Sequence, residues 1–180
     1  QAFEKIYKLP LLSKPLPEHP FGKKILSTRK NYLSLHKLAL QHDERAVEEF
    51  EYKCGYLVDK KWFNHLALHT QVVIKKEELN FFHGRLLYSL LSKYLNNKKS
   101  NNLNSPFMIM ETGTARGFSS ICMAKALIDQ NCLGIVTTID CIPHDKKILW
   151  NCIDDITGPK TREKLLENWN KELERIIFIQ

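Results

Sequence analysis

The sequence predicts an α/β protein, the first half of a doubly wound parallel sheet preceded by an N-terminal helical extension. Three short apolar runs, Phe107 to Glu111, Gly134 to Asp140 and Ile176 to Ile179, alternate with stretches of helical spacing, the order that builds parallel sheets through right-handed crossovers. The first two runs end in an acid, and the first acid opens a glycine-bearing turn. Charge divides the chain at the same place. Residues 1 to 105 hold 18 Lys+Arg against 10 Asp+Glu, a balance of +8, whereas residues 106 to 180 hold 9 against 10, a balance of −1.

Taken in order, the stretch to about residue 28 carries Pro10, Pro15, Pro17 and Pro20 and reads as an irregular lead-in. Leu35, Leu38, Ala39, Ala46, Val47 and Phe50 suit one or two helices between Asn31 and Cys54, broken near His42 and Asp43. Leu79, Phe82, Leu86, Leu90 and Tyr94 recur at three-to-four spacing, which predicts a helix over Glu77 to Leu95 with that stripe packed inward. The polar tract Asn96 to Ser105 predicts a loop and the boundary between a front segment, 1–105, and a core, 106–180. The front segment is expected to pack its helices on the sheet, since they look too short to build a core alone.

The run Pro106 to Glu111 is continuously apolar before its acid, as expected of a strand buried on both faces. Ser119 to Asp129 reads as a helix pressed against the sheet, Gly134 to Asp140 as a second strand, Thr161 to Leu173 as a helix and Ile176 to Ile179 as a third strand. All three strands are expected to be parallel neighbours with the first in the middle. The third strand reaches Gln180 with half of such a sheet, so the expectation is a piece of a larger protein.

Composition narrows the class. With 43% hydrophobic and 26% charged residues the chain has the make-up of a globular protein, and no apolar run approaches the roughly 20 residues that span a bilayer. A membrane partner is not expected. Neither is nucleic acid, because the net charge of +7 is spread over pairs such as Lys23–Lys24, Lys60–Lys61 and Lys98–Lys99 and forms no basic tract. Without a signal-peptide pattern the expected location is the cytoplasm. Five cysteines without a CxxC pair indicate neither a disulfide framework nor a zinc site.

Chemistry concentrates in Glu111-Thr-Gly113-Thr114-Ala115-Arg-Gly117-Phe-Ser119. A glycine-rich turn between strand and helix presents bare N–H groups and the positive helix end to a ligand. Gly113 permits the tight reversal and Gly117 a close start of the helix, while Ser119 could cap that helix or meet a ligand carboxylate. Asp140 follows at the end of the next strand, so both acids fall on one sheet edge, where open α/β folds bind ligands. A carboxylate there can accept both hydroxyls of a ribose. The dinucleotide pattern GxGxxG fails, because Ala115 and Phe118 stand at its second and third glycine positions.

The spacing E-x-G-x-x-x-G instead resembles the first motif of class I S-adenosylmethionine-dependent methyltransferases, with their Rossmann-like fold. More narrowly, ETGTARGFSS preceded by FFHGRLLYSLL is similar to the catechol-type and macrocin-type small-molecule O-methyltransferases. Over residues 68 to 180 that resemblance implies S-adenosylmethionine as cofactor. It implies that Gly113, Thr114 and Ala115 line the methionine portion with Gly117 shaping the turn, that Ser119 binds the methionine carboxylate and that Asp140 holds the ribose. Glu111 would support the loop and the amino group. Val72-Val73-Ile74 would close over the cofactor. The chain departs from the family pattern in the tract Pro143 to Lys160, which is longer than usual and is expected to be an insertion over the adenine pocket. The implied partner is a small-molecule hydroxyl, and in the related enzymes the acids for a divalent metal such as Mg come from strands after the third, beyond Gln180.

Other side chains have two readings each. His83 could act as a base or pack on its helix. His65 and His69, four apart, could ligate a metal but lack a third ligand, and Asp154-Asp155 could bind magnesium or stand solvated. Arg116 could meet a substrate or face solvent. No catalytic residue stands out, and the oligomeric state is open, a homo-oligomer included. Two alternatives to a methyltransferase remain: a non-catalytic nucleoside-binding or assembly module, and an enzyme with other chemistry on the same fold.

Overall fold

The computed structural model describes residues 18 to 100 and 105 to 180. The expected lead-in therefore lies, as far as Pro17, outside the described residues, as does the tract from Asn101 to Asn104. The front segment is helical. Helix α1 (Arg29–Ala39) starts where the Thr28 hydroxyl accepts the Asn31 N–H, and α2 (Arg45–Cys54) stops at Gly55, whose φ of 83° ends the helix in the left-handed region. Helix α3 (Lys60–Thr70) is capped by Asp59, whose carboxylate accepts the Trp62 N–H at 2.7 Å. The break expected near His42 is present.

Helix α4 spans His83–Ser100, six residues later at its start than the sequence predicts and running into the expected loop. Asn80 explains the late start: its side-chain oxygen accepts the Phe82 N–H at 3.0 Å and turns the chain just ahead of the helix. The expected inward stripe is also rotated. Leu90 and Tyr94 are exposed, and the buried face is Gly84, Arg85, Tyr88, Ser89, Ser92 and Leu95. Gly84 sits on that face where helix α5 (Phe118–Asp129) comes close. A Cβ on Gly84 would sit 2.5 Å from the Phe118 ring.

Strands β1 (Phe107–Thr112), β2 (Gly134–Ile139) and β3 (Ile176–Ile179) form one parallel sheet in the order β1-β2-β3. Phe107 is in register with Gly134 and Val136 with Ile176. The protein is thus α/β with parallel strands, as expected, but β2 and not β1 is central. The cause is two successive crossovers stepping the same way. Helix α5 (Phe118–Asp129) links β1 to β2, and the second crossover ends in α7 (Asn170–Leu173), which packs against α5. Both helices therefore lie on one face. On the other, Met108 and Met110 are each 74% exposed, and Ile177 and Ile179 of β3 are exposed too, so β1 is not buried on both faces.

The stretch Thr161 to Leu173 is a broken helix, α6 (Arg162–Leu165), a 3-10 turn at Glu167–Trp169, and α7. Its buried side chains, Arg162, Leu165, Leu166, Trp169 and Glu172, nevertheless keep helical phase. One core joins front segment and sheet, running from Tyr32, Phe63 and Leu66 through Phe118 and Ile121 to Val136 and Trp169. A smaller one forms around Trp150 with Ile148, Cys152 and Leu165. Among the described residues no helix is long and apolar enough to cross a membrane.

Candidate functional site

The turn after β1 extends the ladder by one bond, Gly113 N–H to the Ile139 carbonyl at 2.8 Å, and then leaves the sheet. Gly113 and Gly117 both have φ 83°, and Ala115 has φ 46°. Space around the two glycines differs. A Cβ on Gly113 would meet nothing within 4 Å, so this backbone faces an opening, whereas one on Gly117 would lie 2.6 Å from Leu166 Cδ1. Thr112, Gly113 and Ala115 are exposed, and Thr114 is buried beneath them.

Two acid-centred clusters form at this edge. In the first, Glu111 accepts hydrogen bonds from the hydroxyls of Ser119, Ser120 and Thr138, the last at 2.8 Å. Thr114 and Thr138 share a further hydroxyl contact at 2.6 Å. Ser119 is therefore not a helix cap. Gly117 occupies that position and no side chain caps it. In the second cluster, Asp140 Oδ2 accepts the Ala115 N–H at 2.5 Å and Oδ1 accepts the Ile142 N–H at 2.9 Å. Every residue expected to bind the cofactor, Glu111, Gly113, Thr114, Ala115, Gly117, Ser119 and Asp140, thus lies at one end of the β1–β2 pair.

Arg162 is the residue sequence reasoning missed. Its Nε donates to the Ala115 carbonyl at 2.9 Å, one Nη donates to the Ile142 carbonyl at 3.2 Å, and that nitrogen is 3.5 Å from Asp140 Oδ2. Burial pulls this guanidinium below its ordinary value, while the carboxylates of Asp140 and Glu111 act in the other direction. A lone arginine near the start of a helix gives no sequence signal of this role. Thr138 was more legible, since strand alternation places it with Asp140 on one face.

Arg116 points neither to solvent nor into the opening. Its Nε donates to the Trp150 carbonyl at 2.5 Å and its guanidinium lies 4.2 Å from the Phe21 ring centroid. Next to Trp150, Asn151 pairs through its amide with both the N–H and the C=O of Ile74, at 2.9 and 3.0 Å. The segment Val72 to Ile74 is thereby tied to the tract after β2. Val73 and Ile74 also line, with Leu35, Leu38 and Leu79, a hollow of about 650 Å³ against α1.

The solvated reading of the acid pair is corrected. Asp155 is 1% exposed and accepts the N–H groups of Trp150 and Cys152, and Asp154 bonds His69 Nδ1 at 2.5 Å and Lys160 at 3.1 Å. His65 stacks edge-on to His69, and His83 edge-on to Phe118. Among the described residues no group of three or more His, Cys, Asp or Glu is placed to hold a metal ion. Comparison with protein-family models, with curated proteins and with solved structures finds no match for this chain.

Proposed function

We propose that the chain carries the S-adenosylmethionine site of a Rossmann-like, class I methyltransferase acting on a small-molecule hydroxyl. The observation that carries this reading is the placement of Asp140 beside a left-handed Gly113–Gly117 turn at the carboxyl ends of two parallel strands. Such an edge is where open α/β sheets bind nucleosides.

The residues fit that cofactor. The open space over Gly113 admits a ligand against bare backbone. Asp140 uses two acceptor positions on backbone N–H groups and lies 3.5 Å from Arg162; a carboxylate offers about four positions, which leaves capacity for a ribose hydroxyl. Glu111 holds three hydroxyls and keeps acceptor capacity for a cationic amino group. In this role the chain's residues bind and orient, bringing a methyl donor and an acceptor oxygen into line; such positioning lowers a barrier without any protein group taking part in bonding.

Titration calorimetry with S-adenosylmethionine, S-adenosylhomocysteine and NAD on the full-length protein tests this directly. The reading expects one site for each of the first two and none for NAD. Binding of NAD alone, or of none of the three, contradicts it.

A further inference from the structure

We propose that Arg162 is the positioning residue of this loop: with Asp140 it grips Ala115 from both sides and holds it in the left-handed conformation that aims the turn at its ligand. The inference rests on the nucleoside-site reading above. Its basis is a residue with every backbone polar group in a charged grip. The Ala115 N–H goes to the Asp140 carboxylate at 2.5 Å and its C=O takes the Arg162 Nε–H at 2.9 Å. The two charged partners are themselves 3.5 Å apart.

A side chain at φ 46° is disfavoured relative to glycine, because Cβ crowds the backbone. Alanine persists in such a conformation only where its surroundings over-determine it. Ala115 itself is exposed, so packing does not hold it; the two hydrogen bonds do. The surroundings of Arg162 hold it in place for that grip. It is 1% exposed, between the rings of Trp150 and Phe178 at 5.5 Å each, and its side-chain bonds end on the two loops that follow β1 and β2. Arg116, in the turn itself, bonds away from it to Trp150.

The grip makes a prediction that a merely structural arginine does not: its importance depends on what occupies position 115. Glycine adopts the left-handed region without a clamp, so Ala115→Gly relieves the need for Arg162. Lysine cannot reach both carbonyls with one fork, and Arg162→Lys keeps the charge while loosening the grip. The test crosses Arg162→Lys and Arg162→Ala with Ala115→Gly. It reads amide hydrogen exchange at position 115 without ligand, and S-adenosylhomocysteine affinity in the full chain.

In the Ala115 background, Arg162→Lys is expected to speed exchange at 115 by about tenfold and weaken S-adenosylhomocysteine by roughly fivefold. With Ala115→Gly the affinity loss should shrink to about twofold or less. Equal losses in both backgrounds, or unchanged exchange at 115 in Arg162→Lys, overturn the proposal. If Arg162→Ala does not fold, the lysine variant decides alone. A wild-type chain that ignores S-adenosylhomocysteine overturns the nucleoside reading, and the exchange rates then decide the grip by themselves.

Discussion

Two arginines, Arg85 and Arg162, are buried to the same depth, 2% and 1% exposed, yet they are neutralised in different ways. Arg85 on α4 meets two carboxylates, Glu51 on α2 through both Nε and Nη, and Glu44 at 2.6 Å. Those bonds raise its guanidinium value against the opposing effect of burial. Arg162 bonds backbone carbonyls and stands only near its carboxylate. The first arrangement welds α2 to α4. The second holds two loops beside an opening. Buried charge is expensive in either place, so the partners show what each one is retained for: rigidity between helices in one case, loop conformation in the other.

That contrast breaks first at Glu51. Replacing it by alanine leaves Arg85 with Glu44 alone and should lower unfolding stability by about 3 to 5 kcal/mol, seen as a shifted denaturant midpoint with an unchanged slope. S-adenosylhomocysteine affinity of the folded fraction should not move. Asp140→Ala should cost stability too, since it leaves buried Arg162 without its nearby carboxylate, but it should also weaken that ligand, roughly ten- to a thousandfold, through loss of bonds worth about 1.5 to 3 kcal/mol each. Turnover at saturating cofactor should fall much less, because the role proposed for Asp140 is to hold the ribose and not to act on the methyl group. Normal affinity in Asp140→Ala, or normal affinity without turnover, would show the residue misassigned.

Smaller effects sharpen the contrast. Gly117→Ala puts a Cβ at φ 83° and against Leu166, and should cost about 1 to 3 kcal/mol of stability, measured by thermal melting, with some loss of ligand affinity since the turn must shift. The smallest is pH-dependent. Burial pushes Asp154 up, but its bonds to His69 and Lys160 prevail and hold it below the usual carboxylate range. An acid depressed by folding contributes stability above its unfolded value, near 4, that is lost as pH falls through its folded value. Asp154→Asn should therefore remove about 1 kcal/mol at neutral pH and flatten the stability curve below about pH 4. A curve of unchanged shape would show that this pair is energetically idle.

Legibility differed by kind of interaction. Strand positions, the break between α1 and α2, and the turn at Gly113–Gly117 follow from local pattern and were read directly. The inward face of α4 was misread because burial there follows close helix packing at Gly84 and an ion pair at Arg85, neither of which adds apolar period. The central strand was misread because the direction in which a crossover steps is a tertiary choice. The seven expected cofactor residues share one edge, yet Arg162, which ties two of its loops together, arrives from α6, far along the chain. The roles of Asp154 and Asp155 were hidden likewise, since a pair of acids looks the same in sequence whether solvated, bonded to side chains as Asp154 is to His69 and Lys160, or bonded to backbone N–H groups as Asp155 is.

The central claim is that the edge formed by the Gly113–Gly117 turn and Asp140 is a nucleoside site. Mapping backbone amide shifts of the full chain during titration with S-adenosylhomocysteine tests it most directly. The account predicts saturable shifts centred on residues 112–119 and 139–142, with residues 44–54 and Arg85 silent. Absence of binding, or shifts centred on the hollow between α1 and Val73 to Leu79, would contradict it.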